Sequence, residues 1–213
     1  MEILYADNHL VVVNKPSGIP TESKEEPDLE ALVAAWIKEK YEKKGAVFVK
    51  AVHRLDKPAS GIVLLAKTSK ALTRLHESFQ KREVEKTYLA VVEGAVEEEG
   101  IFEDCLLREE YISRVTNPGN ALGKEASLSY KLQRKIKGNS LVEVDLHTGR
   151  YHQIRVQFSS RGHPVLNDVK YGAKRLSGEK RIALHHTKLQ FPHPVSKEIL
   201  TFTHTPPESF YNF

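Results

Sequence analysis

Two short segments concentrate the residues that could do chemistry. The first is His53-Arg54-Leu55-Asp56-Lys57-Pro58-Ala59-Ser60-Gly61, a crowd of ionisable groups in a Pro/Gly-containing stretch just before the apolar run Ile62–Ala66. A carboxylate flanked by Arg54 and Lys57 is favoured in its charged form, the form that serves as nucleophile or general base near neutral pH. A structural turn, with Asp56 hydrogen-bonded to the backbone around Ser60 and Gly61, explains the same residues, and is the commoner fate of a loop Asp. The second segment is Leu146-His147-Thr148-Gly149-Arg150-Tyr151-His152-Gln153-Ile154-Arg155. It reads as a strand-to-helix junction, with Arg150 and His152 in the first helical turn, where free N–H groups attract anions. Arg155 would flank the buried face of that helix and calls for a carboxylate or phosphate; a structural ion pair fits the spacing equally well.

Other chemistries find little support. The chain has ten His and a single Cys, Cys105, with no HExxH and no Cys/His cluster, so a zinc site and a disulfide framework are not indicated. Walker A, GxGxxG and GxSxG patterns are absent from the sequence. No stretch approaches the roughly 18–20 apolar residues that span a bilayer, and the start lacks a signal-peptide pattern. A cytoplasmic location in a reducing compartment is the expectation.

The net charge is +4, unevenly distributed. Residues 1–100 carry 15 Lys+Arg against 17 Asp+Glu, whereas residues 101–213 carry 17 against 11. A basic second half fits a polyanionic partner such as nucleic acid, although charge alone fits an ordinary solvated surface as well.

The elements that must position these segments read as strands with a few interspersed helices. Ile3–Tyr5 and Leu10–Val13 form a hairpin about Asp7-Asn8, followed by the loop Asn14-Lys15-Pro16-Ser17-Gly18. Helical spacing runs from Leu29 to Tyr41, with Asp28 as N-cap and Gly45 as stop, and again over Leu72, Leu75 and Phe79, with Ser69 as cap. Buried strands are predicted at Ile62–Ala66 and Tyr88–Val92. Alternation predicts strands over Ala126–Gln133 and Leu141–His147, and a final strand pair joins through Pro192-His193-Pro194. A helix over Tyr151–Phe158 should end at Gly162. The class is α+β, one domain over residues 1–213 with a mixed, largely antiparallel central sheet flanked by helices.

These motifs, in this order, resemble the RluA-type family of RNA pseudouridine synthases over essentially the whole chain. Val12-Val13-Asn14-Lys15-Pro16-Ser17-Gly18 is similar to its first strand and loop, and His53-Arg54-Leu55-Asp56 with Ser60-Gly61 to its signature around the catalytic Asp. Glu85-Lys86-Thr87-Tyr88-Leu89-Ala90 resembles the strand bearing the active-site Tyr, and Thr148–Arg155 the segment whose last Arg pairs with that Asp. Gly162-His163-Pro164, Asp168, Tyr171-Gly172, Leu184-His185 and Phe191–Pro194 follow in family order. Three positions depart from the pattern: Ala59 for Thr, Asn167 for Gly and His186 for Ala. The missing Thr hydroxyl is expected to loosen the Asp56 loop.

The resemblance implies isomerisation of uridine to pseudouridine in tRNA or rRNA, without a cofactor or metal. Asp56, Tyr88 and Arg155 would be catalytic, and Arg54, Arg150 and His152 would contact RNA. It further implies a monomer with no obligatory protein partner. Many members carry a small S4 domain ahead of the core, whereas here the first strand begins almost at Met1, so the expectation is recognition by the catalytic domain alone, through local RNA shape. Two other readings are an inactive RNA-binding module of the same fold and a metal-free nucleoside hydrolase that releases free uracil.

Overall fold

A computed structural model describes every residue except Ser177, Glu179, Asn212 and Phe213. The described chain belongs to the α+β class, with a mostly antiparallel sheet and a few helices. It divides into two compact units: residues 1–84 with 188–204, and residues 85–187 with 205–213.

In the first unit, β1 (Glu2–Ala6) and β2 (Leu10–Lys15) form the expected hairpin. Asp7 shapes its turn by accepting the N–H groups of His9 and Leu10. Strand β2 pairs antiparallel with β4 (Ser60–Ala66), placing Lys15 opposite Gly61, and the two-residue β3 (Lys50–Ala51) adds to β4. Leu10–Val13 and Ile62–Ala66 are fully buried, as continuous apolar runs require. Helix α1 (Leu29–Lys40) is capped by Asp28, whose carboxylate accepts the Ala31 N–H, and stops five residues before the expected stop at Gly45. Glu42 leaves the helix at φ +49. Helix α2 (Ser69–Gln80) is capped by Thr68 rather than Ser69. Its Ala71 and Leu75 pack into one core with Leu10, Val12, Ile62, Leu64 and Phe191.

In the second unit, β5 (Glu85–Val92) pairs with β9 (Asn139–Leu146), β9 with β8 (Lys124–Ile136), β8 with β6 (Glu99–Glu109) and β6 with β7 (Ile112–Thr116), all antiparallel. Phe102, Tyr130 and Phe158 meet in an aromatic core, with ring centres 5.0–5.3 Å apart. Gly100 makes room for it, since a Cβ there would stand 2.6 Å from the Tyr130 ring. Helix α3 (Gln153–Ser159) is seven residues long and shorter than expected. Strand β10 (Leu184–Pro192) begins among the residues of this unit and ends among those of the first, where β11 (Ile199–Thr203) returns along it.

Candidate active site

Asp56 lies in the first unit, half-buried on the loop between β3 and β4. Its carbonyl accepts the Ala59 N–H at 3.0 Å, closing a tight turn across Lys57-Pro58. What fixes this turn is Lys15, at the end of β2. Lys15 is fully buried, and its Nζ lies 3.0 Å from Pro16 O, 2.9 Å from Ile19 O, 2.7 Å from Ala59 O and 3.4 Å from Lys57 O. One ammonium thus ties the loop after β2 to the loop bearing Asp56. Gly18, at φ +90, donates its N–H to Lys57 O at 2.7 Å, a conformation that suits glycine. Thr21 completes the clamp, donating its hydroxyl to Leu55 O at 2.7 Å and accepting the Leu55 N–H at 3.1 Å. Ala59 itself is fully buried with both backbone groups engaged. Main-chain bonds and Lys15 therefore hold the loop at the position where a Thr hydroxyl was expected to be missed.

Burial pushes the Lys15 ammonium down to about 7, against the pull of the negative Asp56. The ring of carbonyls acts in the same sense as Asp56, since an ammonium offers three N–H donors and an amine only two. Arg54 and Lys57, the cations flanking Asp56, reach surface carboxylates: Arg54 pairs with Glu22 at 3.2 Å and Lys57 with Glu26 at 2.6 Å. Such exposed pairs contribute little to stability, about 0–1 kcal/mol. His53 accepts the Leu64 N–H and stacks on Phe79, which anchors the start of the loop.

The second unit carries the other predicted residues. Tyr88 is buried on β5, its ring stacked on that of His186 at 4.4 Å and 12°. Arg155 is 3% exposed on α3 and grips Asp168 with two bonds, Nε to Oδ2 at 2.6 Å and Nη2 to Oδ1 at 2.8 Å. Its guanidinium also lies 5.0 Å from the Tyr171 ring centre. Asp168 is a partner that sequence reasoning did not assign to Arg155. The available signal was the type of residue itself, since a buried Arg needs a carboxylate and Asp168 had already been singled out by its place in the motif order.

Arg150 and His152 do not lie within α3, which begins at Gln153. His152 adopts a left-handed conformation at φ +54, and the Gln153 side chain folds back to accept from Thr148 Oγ1 and the Arg150 N–H. That loop displaces the helix start by two residues, from Tyr151 to Gln153. Arg150 donates its Nε to Glu125 O and stands close enough to Lys86 to repel it. Burial and this repulsion together push Lys86 down to about 8. The His152 ring, expected at an RNA surface, is buried: it stacks on Tyr151 at 3.8 Å, and its Nδ1 lies 2.9 Å from Tyr171 Oη. His152 and Arg155 thus share Tyr171, whose hydroxyl also accepts the Ser113 N–H.

Comparison with known proteins follows the motif order. Residues 9–160 match the family model described as RNA pseudouridylate synthase. The chain is 34% identical over 208 residues to ribosomal large subunit pseudouridine synthase D of Xylella fastidiosa, covering 92% of this chain and 62% of that protein. It is 36% identical to the uncharacterized RNA pseudouridine synthase YhcT of Bacillus subtilis, covering 94% and 67%. It is 35% identical to ribosomal large subunit pseudouridine synthase C of Vibrio cholerae, covering 97% and 66%. The chain therefore spans about two thirds of the length of these curated relatives. The structure of human RNA pseudouridylate synthase domain containing 4 shares the fold at a TM-score of 0.82 and 24% identity, over 98% of this chain and 90% of that one. Motifs, family model and similarity over more than nine tenths of this chain agree, and the chain belongs to the RNA pseudouridylate synthase family, of the RluA type.

Proposed function

We propose that the protein isomerises specific uridines of rRNA or tRNA to pseudouridine, as a cytoplasmic monomer. The observation that carries this reading is the Asp56 turn, a half-buried carboxylate whose backbone is locked from beneath by a buried lysine. A reactive group held on a fixed turn meets the geometric demand of catalysis, since misplacement by an ångström is costly. The target uridine must leave its stack to reach such a group. Asp56 then acts on the flipped nucleoside as nucleophile or base, and the N1–C1′ bond breaks. The uracil turns, C5 bonds to C1′, the proton leaves C5 and N1 gains one; no external group enters. Arg155, gripped by Asp168, is the proposed catalytic arginine. Tyr88, with one face against His186, offers a surface for the uracil ring and a hydroxyl for proton transfer at C5. Arg54 and Arg150 are the proposed phosphate contacts, with His152 supporting the Arg150 loop from within.

Pseudouridine mapping of cellular RNA with and without the gene tests this reading and names the target. Loss of a defined set of sites, restored by the gene, is the expected result. Unchanged maps, or release of free uracil from RNA by the purified protein, would overturn it.

A further inference from the structure

Helix α1 ends at a collection of cations that the proposed catalysis does not use, and of which Lys67 alone bonds the fold, through the Asp7 carbonyl. Lys38 and Lys40 in its last turn face the negative end of the helix dipole. The dipole does not account for the crowding of Lys40 with Lys43 and Lys67. Lys40 Nζ lies 4.8 Å from the Trp36 ring centre and 5.7 Å from that of Tyr41, a residue 43% exposed. Lys67, which follows β4, brings its Nζ to 5.0 Å from the same Tyr41 ring. Partial burial and the like charges of Lys43 and Lys40 hold the Lys67 ammonium below its ordinary range.

Among the described residues no carboxylate forms a salt bridge with Lys40, Lys43 or Lys67, whereas elsewhere in the unit Lys50, Arg54 and Lys57 each pair with a glutamate. The acidic neighbour of Lys67 is Asp7, whose carboxylate already accepts from His9, Leu10, Tyr5 and His193; Lys67 reaches its backbone carbonyl instead. Crowding like charges is unfavourable, and aromatic rings beneath ammonium groups offset only part of it. Such clustering also runs against the slightly acidic balance of residues 1–100.

We infer that Lys40, Lys43 and Lys67 form a second RNA contact, holding a backbone phosphate away from the catalytic motifs. The inference rests on the pseudouridine synthase reading for its choice of polyanion. Contacts of this kind add affinity and register without reading sequence.

The test uses the full chain with Lys40→Glu and Lys43→Glu combined, titrated against a labelled RNA hairpin at several salt concentrations. Lys67 is left intact because it supports the β1–β2 turn. Kd should weaken about tenfold at low salt, and the slope of log Kd against log salt should fall by about 1–2 units. The pair Lys70→Glu and Lys81→Glu, with the same change in charge in the first turn and at the C-cap of α2, should move Kd less than twofold. Lys40→Gln with Lys43→Gln should give an intermediate loss, and circular dichroism melts should match the parent. Parental Kd and slope in the Glu pair would overturn the inference, as would an equal loss in the α2 control; an acidic protein as the true occupant would produce the first of these. Pseudouridine formation by the unmutated protein is scored separately, so a lysine-dependent RNA binder that makes no pseudouridine would refute the function and not the contact.

Discussion

Lys15 and Tyr88 show how much of a site is decided by what lies behind the reacting groups. Lys15 sits in a recognisable motif, yet its role as the bolt beneath the Asp56 turn becomes visible only when four carbonyls converge on it. Its depressed basicity has a consequence for stability. Between about pH 7 and 10.5 the folded protein has released the Lys15 proton and the unfolded chain keeps it, so stability rises with pH across that window. Relative to Lys15→Met, the parent should gain up to about 1.4 kcal/mol per pH unit there. Urea melts at pH 7.5 and 9.5 check this, and parallel trends in the two proteins would refute it. At Tyr88, the stack on His186 predicts that Tyr88→Phe keeps KM near the parental value while Tyr88→Leu raises it severalfold. Equal KM values would remove the stacking role. His186 was legible only as a departure from the family pattern; that its ring lies flat on Tyr88 required the pairing of strands far apart in sequence.

At the scale of elements, α3 carries the densest buried polar network. Six of its seven residues are buried, including Arg155, so its guanidinium depends on Asp168. Removing one partner of a buried pair costs about 3–5 kcal/mol, so Asp168→Asn should lose stability on that order. A loss under about 1 kcal/mol in denaturant titration would show that Arg155 is held by other means. The sequence reading found the long apolar runs and clean alternations, which report burial directly. It passed over β6 and β7, because Glu99, Glu103 and Asp104 interrupt the apolar pattern of β6, and its turn to β7 uses Glu110 at φ +36 with no Gly, Asn or Pro to announce it. It also began α3 too early, because the Gln153 side chain that closes the preceding loop leaves no periodic signature.

The whole molecule adds the division into two units and the distribution of charge. No Gly/Ser/Pro-rich linker marks the first two crossings, where the chain passes directly into β5 and then within β10; the third, between His204 and Thr205, is followed by Pro206-Pro207. The α+β class was legible because fold class follows from the pattern of elements. The excess of cations in residues 101–213 predicts that RNA binding is driven largely by counterion release. Raising salt from 50 to 200 mM should weaken Kd at least a hundredfold for a protein with several phosphate contacts, and a salt-independent Kd would contradict an electrostatic interface. Above these effects stands the claim that Asp56 carries the reaction. The direct measurement is single-turnover pseudouridine formation by Asp56→Asn on a mapped substrate RNA, with Kd determined on the same preparation. The account predicts no detectable product and a Kd within a few-fold of the parent; substantial turnover by the purified Asn protein would contradict it.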